Sequence, residues 1–304
     1  MKVTMTSPTQ IGASGWKAVL FRVKDALTTD HVGLVSAGVA FYGLLAIFPA
    51  IAAVMAIAGL VLAPADVAAQ LDRIADMMPA RAAQIITDQA TSVAGSANGG
   101  LGLTALVGMG LALWSSSKGV ATLIEGLNIV YKEPERRGFL KLKLTTLGLT
   151  LLLIVGLVAG LGAVLILPAL LSILNLGDLE LVIAALRWVL LFGMTVMGAA
   201  ALYRFGPDRR APLWSWTLPG ALLASVLWVA GSVLFSFYAE NFGSYQETFG
   251  SLAGVVILLF WLWISAYVIL LGAEVNAELE VEIKEGTATD HPEPNALKPD
   301  AVKG

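Results

Sequence analysis

The chain has 304 residues, of which 57% are apolar and only 13% charged, with a net charge of -3 and a mean hydropathy of +0.80. A water-soluble domain carries about a quarter charged residues, so this composition excludes a fully hydrated surface and points to helices packed in lipid. The absence of cysteine excludes disulfides, thiolate metal sites and cysteine nucleophiles, and two histidines, His31 and His291, cannot build a histidine-rich metal centre.

Residues 1–31 hold Lys17, Arg22, Lys24, Asp25 and Asp30 without a long apolar core or a small-residue cleavage pattern. No cleaved leader is expected, and the first hydrophobic stretch serves as both insertion signal and anchor. Trp16, Val19, Leu20, Val23 and Leu27 share one helical face, away from Lys17, Arg22 and Lys24. This predicts an amphipathic helix, either lying on the membrane surface or simply orienting the first span.

A span needs about 20 apolar residues to cross a hydrocarbon core of about 30 Å. Long apolar runs, the fourth of them reached only by adding residues 181–186 beyond Arg187, predict six, near residues 34–62, 101–123, 145–167, 182–204, 212–238 and 250–273. The expected fold is therefore all-α: a polytopic six-helix transmembrane bundle with short interfacial amphipathic helices. It divides into an N-terminal arm (1–31), a six-span domain (32–280) and a disordered tail (281–304).

The first span carries an aromatic run with Tyr42 and Pro49, and Pro49 is expected to kink the helix and free a backbone carbonyl. Beyond it, Val67, Leu71, Ile74 and Met78 form a stripe that stops at Pro79, predicting two short helices in the first connection. In the second span Lys118 lies about one and a half turns from the end, close enough to extend its ammonium to headgroups. Glu125 follows two turns later and Asn128 one turn beyond that.

The apolar run 144–177 would be about 50 Å long as one helix, so Pro168 is taken as its break and residues 168–177 as an interfacial segment. Gly156 and Gly160 form a GxxxG, and Gly108, Gly110, Gly193 and Gly198 recur in other spans. Such residues let helices approach closely, within one chain or at a dimer face. Arg187 lies within similar reach of headgroups near the outer end of the fourth span and Arg204 at its inner end, and Arg204 is a candidate partner for Glu125 or Glu274. Residues 235–254 hold Tyr238, Asn241, Tyr245, Phe249 and Gly250 around a tight turn, as interface anchors or as a partly occluded outer site. Glu274 and Asn276 close the last span.

Basic residues alternate between connections. The N-terminal arm, the second loop (Lys132, Arg136, Arg137, Lys141, Lys143), the fourth (Arg204, Arg209, Arg210) and the tail are rich in them. The third and fifth loops have none, and the long first loop has only Arg73 and Arg81. Six spans with both termini cytoplasmic satisfy this pattern.

No Asp, Glu or His falls at the middle of a predicted span, which disfavours a proton antiporter of the ordinary kind. Midplane polarity is limited to residues 115–117, Thr195 and Ser232, suited to an uncharged or amphiphilic substrate or to helix–helix hydrogen bonds. No GxSxG, Walker A or paired-carboxylate motif occurs, so no catalytic residue, cofactor or metal is expected. The basic second loop points to membrane lipids rather than nucleic acid. Homo-oligomers or envelope proteins are further candidate partners. For Glu125, Asn128 and Glu274, tying helices together at the inner surface outweighs substrate contact.

Four segments in order, FYGLLAIFP at 41–49, LWSSSKGVATLIEGLNIVYKEPERR at 113–137, YRFGPDRR at 203–210 and YQETFGSLAGVVILLFWLWISAYVILLGAEVNAELE at 245–280, resemble the YihY/BrkB family of bacterial inner-membrane proteins. One departure is Phe249, where the family often has tyrosine, which argues against an indispensable hydrogen bond there. The resemblance implies a six-helix inner-membrane protein. Transport or flipping of a lipid-like or amphiphilic envelope substrate is the leading functional expectation. A non-transporting organiser of an envelope complex or of local lipid is the alternative, and a membrane-embedded hydrolase or nuclease the least supported.

Overall fold

The computed structural model describes residues 13–61, 101–174, 179–210, 212–241 and 251–289. The described elements are all helices: α1 (Ala13–Thr29), α2 (Val32–Val61), α3 (Leu101–Val130), α4 (Phe139–Leu174), α5 (Leu179–Phe205), α6 (Trp214–Asn241) and α7 (Ser251–Thr289). Helices α2 to α7 run from 27 to 39 residues each. Stretches long and apolar enough to cross a membrane are Phe139–Gly156, Leu186–Phe205, Trp214–Tyr238 and Gly254–Ile283, with a shorter apolar stretch at Val32–Ala46.

Large apolar side chains stay exposed along these helices, among them Leu144, Val155, Val189, Val233, Leu234 and Phe237. A helix apolar on its outer as well as its inner face is the pattern lipid selects, because it satisfies every backbone group internally and needs no polar side toward solvent. The all-α membrane bundle expected from the sequence is what the chain forms.

The six long helices pack as a closed ring in chain order, α2 on α3, α3 on α4, and so on until α7 returns to α2. Helix α7 also touches α3 across the ring, and α1 packs on α7 and α2. The buried core lies toward one end. It joins Ile124 and Leu127 of α3, Ala200 and Tyr203 of α5, Ala221 of α6, and Leu270 and Ala273 of α7.

In lipid, apolar burial gives little drive for helices to associate, so close approach and hydrogen bonds must supply it. The closest approach is between α6 and α7. A Cβ added to Gly220 would overlap the Gly272 carbonyl oxygen, and one added to Gly272 would lie 2.5 Å from the Tyr203 hydroxyl. Gly126 and Gly206 are similarly hemmed in. These are not the glycines singled out above. Gly110, Gly156, Gly193 and Gly198 have nothing within 4 Å of an added Cβ, and Gly160 meets only Leu191 of α5, at 3.6 Å.

Other differences from expectation concern lengths. Helix α4 continues through Pro168 to Leu174, because apolar helix remains the cheapest way to satisfy a backbone with no water beside it. Helix α2 likewise passes Pro49 and is described as far as Val61. Helix α7 continues to Thr289, so residues 281–289 extend the last span as helix. The apolar stripe of α1 is divided: Val19 and Val23 are buried against Val275 and Leu279 of α7, whereas Trp16 and Leu20 are exposed. The expected helices of the first connection, at 67–86, lie outside the described residues.

Candidate functional site

Charge is absent from α2, from residues 101–117, 144–174, 188–203 and 251–273, and from α6 before Glu240. Apart from Lys118, Glu180, Arg187 and Glu240, the charged residues among those described gather at the end of the bundle where α1 meets α2, α3 meets α4 and α5 meets α6. Two turns there take a backbone conformation that side chains other than glycine adopt at a cost, His31 at φ 52° and Lys132 at φ 57°. At Lys132 the turn ends α3: Glu133 N–H donates to the Asn128 carbonyl (2.9 Å) and Lys132 N–H to that of Ile129 (3.0 Å). This is a helix stop usually made with glycine. The Lys132 ammonium then reaches the Asp30 carboxylate, which belongs to the other strained turn and is buried.

Glu274 of α7 is only 1% exposed, and neither of its carboxyl oxygens receives a hydrogen bond among the described residues. Asp30, Lys132 and Glu278 are its charged neighbours. Burying an ionisable group without donors is costly, and in a membrane protein such a group is a functional candidate by default.

Asn276, two residues on and thus on the opposite side of α7, ties α6 to α7. Its Oδ1 accepts from Gly220 N–H (2.8 Å) and its Nδ2 donates to the Thr217 carbonyl (3.1 Å). Tyr203 of α5 is wholly buried and donates its hydroxyl to the Ile269 carbonyl of α7 at 2.7 Å. Asn128 joins the two loops, accepting from Asp208 N–H (2.8 Å) and donating to Glu135 (2.9 Å). Arg137 grips Glu135 through Nε (2.8 Å) and Nη2 (2.6 Å) and donates to the Gly206 carbonyl (2.9 Å). The Arg137 hydrogen bonds hold the Glu135 carboxyl down to about 2, outweighing its partial desolvation, and the same pairing raises Arg137.

Arg209 donates to both oxygens of Glu280, at 2.9 and 2.8 Å, with its guanidinium 3.8 Å from the centre of the Tyr131 ring. Burial pushes the Tyr131 phenol up, and Arg209 opposes this. Arg22 of α1 completes the set, reaching Glu278 (2.6 Å) and Glu282 (2.8 Å) on α7.

Of the residues read from the sequence, Asn128, Glu274 and Asn276 meet here. Glu125 does not: it is exposed, on the side of α3 away from buried Ile124, Leu127 and Asn128. Arg204 is not a glutamate's partner. It donates to the Pro212 carbonyl and lies over the rings of Trp214 (4.9 Å) and Phe205 (5.5 Å), because flanking aromatics hold it at the loop. Lys118 sits 5.7 Å from the Trp114 ring, away from this cluster.

Tyr42 packs edge-on to Phe41 at 5.4 Å and lines the α3 glycine Gly119. Tyr238 is exposed beside Phe235. Pro49 and Asn241 lie in α2 and at the end of α6, with side chains outside the described set, as are Tyr245, Phe249 and Gly250 entirely. The reading missed Asp30, Tyr131, Tyr203 and Glu280, and took Lys132, Arg137 and Arg209 only as markers of orientation. One signal was available: Glu274, Glu278 and Glu282 recur every four residues and so share one face of α7.

Known proteins resemble this chain over much of its length. A ribonuclease-like protein of Bacillus subtilis, YfkH, is 31% identical over 254 residues, covering 80% of this chain and 88% of the relative. A UPF0761 membrane protein of Acinetobacter baylyi is 30% identical over 118 residues, 39% of this chain and 28% of that protein. Another from Tolumonas auensis is 38% identical over 86 residues, 28% of each chain. No solved structure matches. The family model described as Virulence factor BrkB matches residues 23–297, and the chain belongs to that family of membrane proteins.

Proposed function

We propose that this protein moves a lipid-like or amphiphilic molecule between the leaflets of the bacterial inner membrane, with the charged end and both termini in the cytoplasm. The observation that carries the reading is the division of the ring: most described charge gathers at one end, where Glu274 is buried without a donor, and the long middle stretches of the helices are free of charge. A headgroup suits the first environment and acyl chains the second. In proteoliposomes the protein should render a labelled lipid in the inner leaflet accessible to an outside quencher, and Glu274→Gln should slow this. If no phospholipid or lipid-linked precursor in a broad panel moves, the reading fails.

A second reading, an organiser of envelope proteins or local lipid, draws on the way Asn128, Asn276, Tyr203 and Arg209 are all engaged in tying helices and loops. It expects stable partner proteins in gentle-detergent purifications and unchanged function on Tyr42→Phe. The ribonuclease-like name of the Bacillus relative suggests hydrolysis as a third. Loss of a nuclease activity on Glu274→Ala, with the fold intact, would support it.

A further inference from the structure

We infer that the charged end carries a phosphate-binding site, built where the α3–α4 loop meets the α5–α6 loop, that accepts the headgroup of an anionic lipid. The two loops, some 70 residues apart in sequence, enclose an open cleft of about 490 Å³. Five cationic side chains line it, from Arg136, Arg137, Lys141, Arg209 and Arg210, against one acid, Asp208.

That acid is already committed. Its Oδ2 accepts from Arg136 N–H at 2.7 Å, its Oδ1 faces Arg137 Nε at 3.8 Å, and its own N–H donates to Asn128. Arg137 is spent on Glu135. Arg136, Lys141 and Arg210 are exposed, and no hydrogen bond or ion pair joins their side chains to a described residue. Arg209 is nine-tenths buried and holds Glu280 through Nη1 alone, leaving its buried Nε and Nη2 without partners. A guanidinium fork with two spare donors matches the oxygens of a phosphate in a way a single ammonium cannot.

The start of α4 adds to this. Leu142 N–H makes the first helical bond, to the Gly138 carbonyl, so the preceding amides have no partner within the helix. Gly138 lines the cleft, which places the positive end of a 36-residue helix there. General attraction of basic loops to the cytoplasmic side needs none of this convergence.

A lipid is favoured over a soluble phosphate by the apolar side chains on the same segments. Phe139 is 80% exposed, Leu140 70% and Leu213 68%, positions where acyl chains would lie. The site stands whether or not the protein moves its lipid.

The test uses the full chain, stripped of lipid in neutral detergent and titrated with phosphatidate, with phosphatidylcholine and with inorganic phosphate. Adducts are counted by native mass spectrometry and stability is followed on heating. The variants are Arg136→Gln/Lys141→Gln/Arg210→Gln together, Arg210→Glu alone, and a control, Lys17→Gln/Lys24→Gln, on exposed positions of α1. Phosphatidate should bind as one saturable adduct, at least tenfold more weakly to the triple variant and to Arg210→Glu, and within twofold to the control. Inorganic phosphate binding with the same variant dependence, without preference for phosphatidate, would keep the site and overturn the lipid. Equal loss in the control, or no variant effect, would overturn the site itself.

Discussion

Gly220→Ala probes the crossing of α6 and α7 directly. The added Cβ would sit 2.6 Å from Asn276 Cγ and Nδ2 and overlap the Gly272 carbonyl oxygen, which is backbone and cannot swing aside. Carbon contacts settle near 3.5–4.0 Å, so the two helices must part by about 1 Å. Overpacking of this kind costs roughly 1–3 kcal/mol. Parting also stretches the Gly220 N–H to Asn276 Oδ1 bond of 2.8 Å, worth about 1 kcal/mol. Alanine also favours helix over glycine by about 1 kcal/mol, so the net cost, about 2 kcal/mol, lowers the folded-to-unfolded ratio roughly thirtyfold. Unfolding by added SDS in mixed micelles, followed by circular dichroism, measures it. Gly156→Ala is the control: nothing lies within 4 Å of its Cβ, and alanine favours helix over glycine by about 1 kcal/mol. A Gly220→Ala protein within about 0.5 kcal/mol of wild type, the scale of an ordinary surface substitution, would refute the reasoning.

Three more outcomes are expected. Lys132→Gly and Lys132→Ala both lose the contact with Asp30, but only glycine takes φ 57° freely, so the glycine variant should be more stable by about 1 kcal/mol in the same assay; equal stabilities would mean that the turn stores no strain. The Glu135 carboxyl is held at about 2 against an ordinary 4.5, so its contribution is complete above about pH 4.5 and is lost as pH falls toward 2. Protection against hydrogen exchange in residues 133–138, taken relative to the intrinsic rate at each pH, should fall over that window, and Glu135→Gln should remove the dependence. Arg22→Gln breaks the contacts of α1 with Glu278 and Glu282, so amide exchange in α1 should accelerate while α5 and α6 stay protected.

Charge-free run lengths make the long helices legible, because a bilayer demands apolar length and little else. The rotation of each helix is another matter. Where a helix is apolar on every side, hydropathy does not say which side faces its neighbours, so Glu125 was grouped with Asn128 although only Asn128 turns inward. Glycine is equally uninformative in a chain with 31 of them: nothing in the sequence sets Gly220 and Gly272 apart from Gly156. Asn128, Glu274 and Asn276 could be picked out because amides and carboxyls are rare near spans. Asp30 and Lys132 could not, since their pairing depends on two left-handed turns at residues other than glycine.

At 1.5 Å per residue the 39-residue α7 is a rod about 58 Å long, nearly twice the hydrocarbon thickness of about 30 Å. It cannot be submerged along its whole length, so it acts as a mast, with α1 stayed against its wet end through Arg22. A sideways pull on that end, from a lipid surface or another protein, would be felt as a tilt of the same rod where it passes α2, α3 and α6.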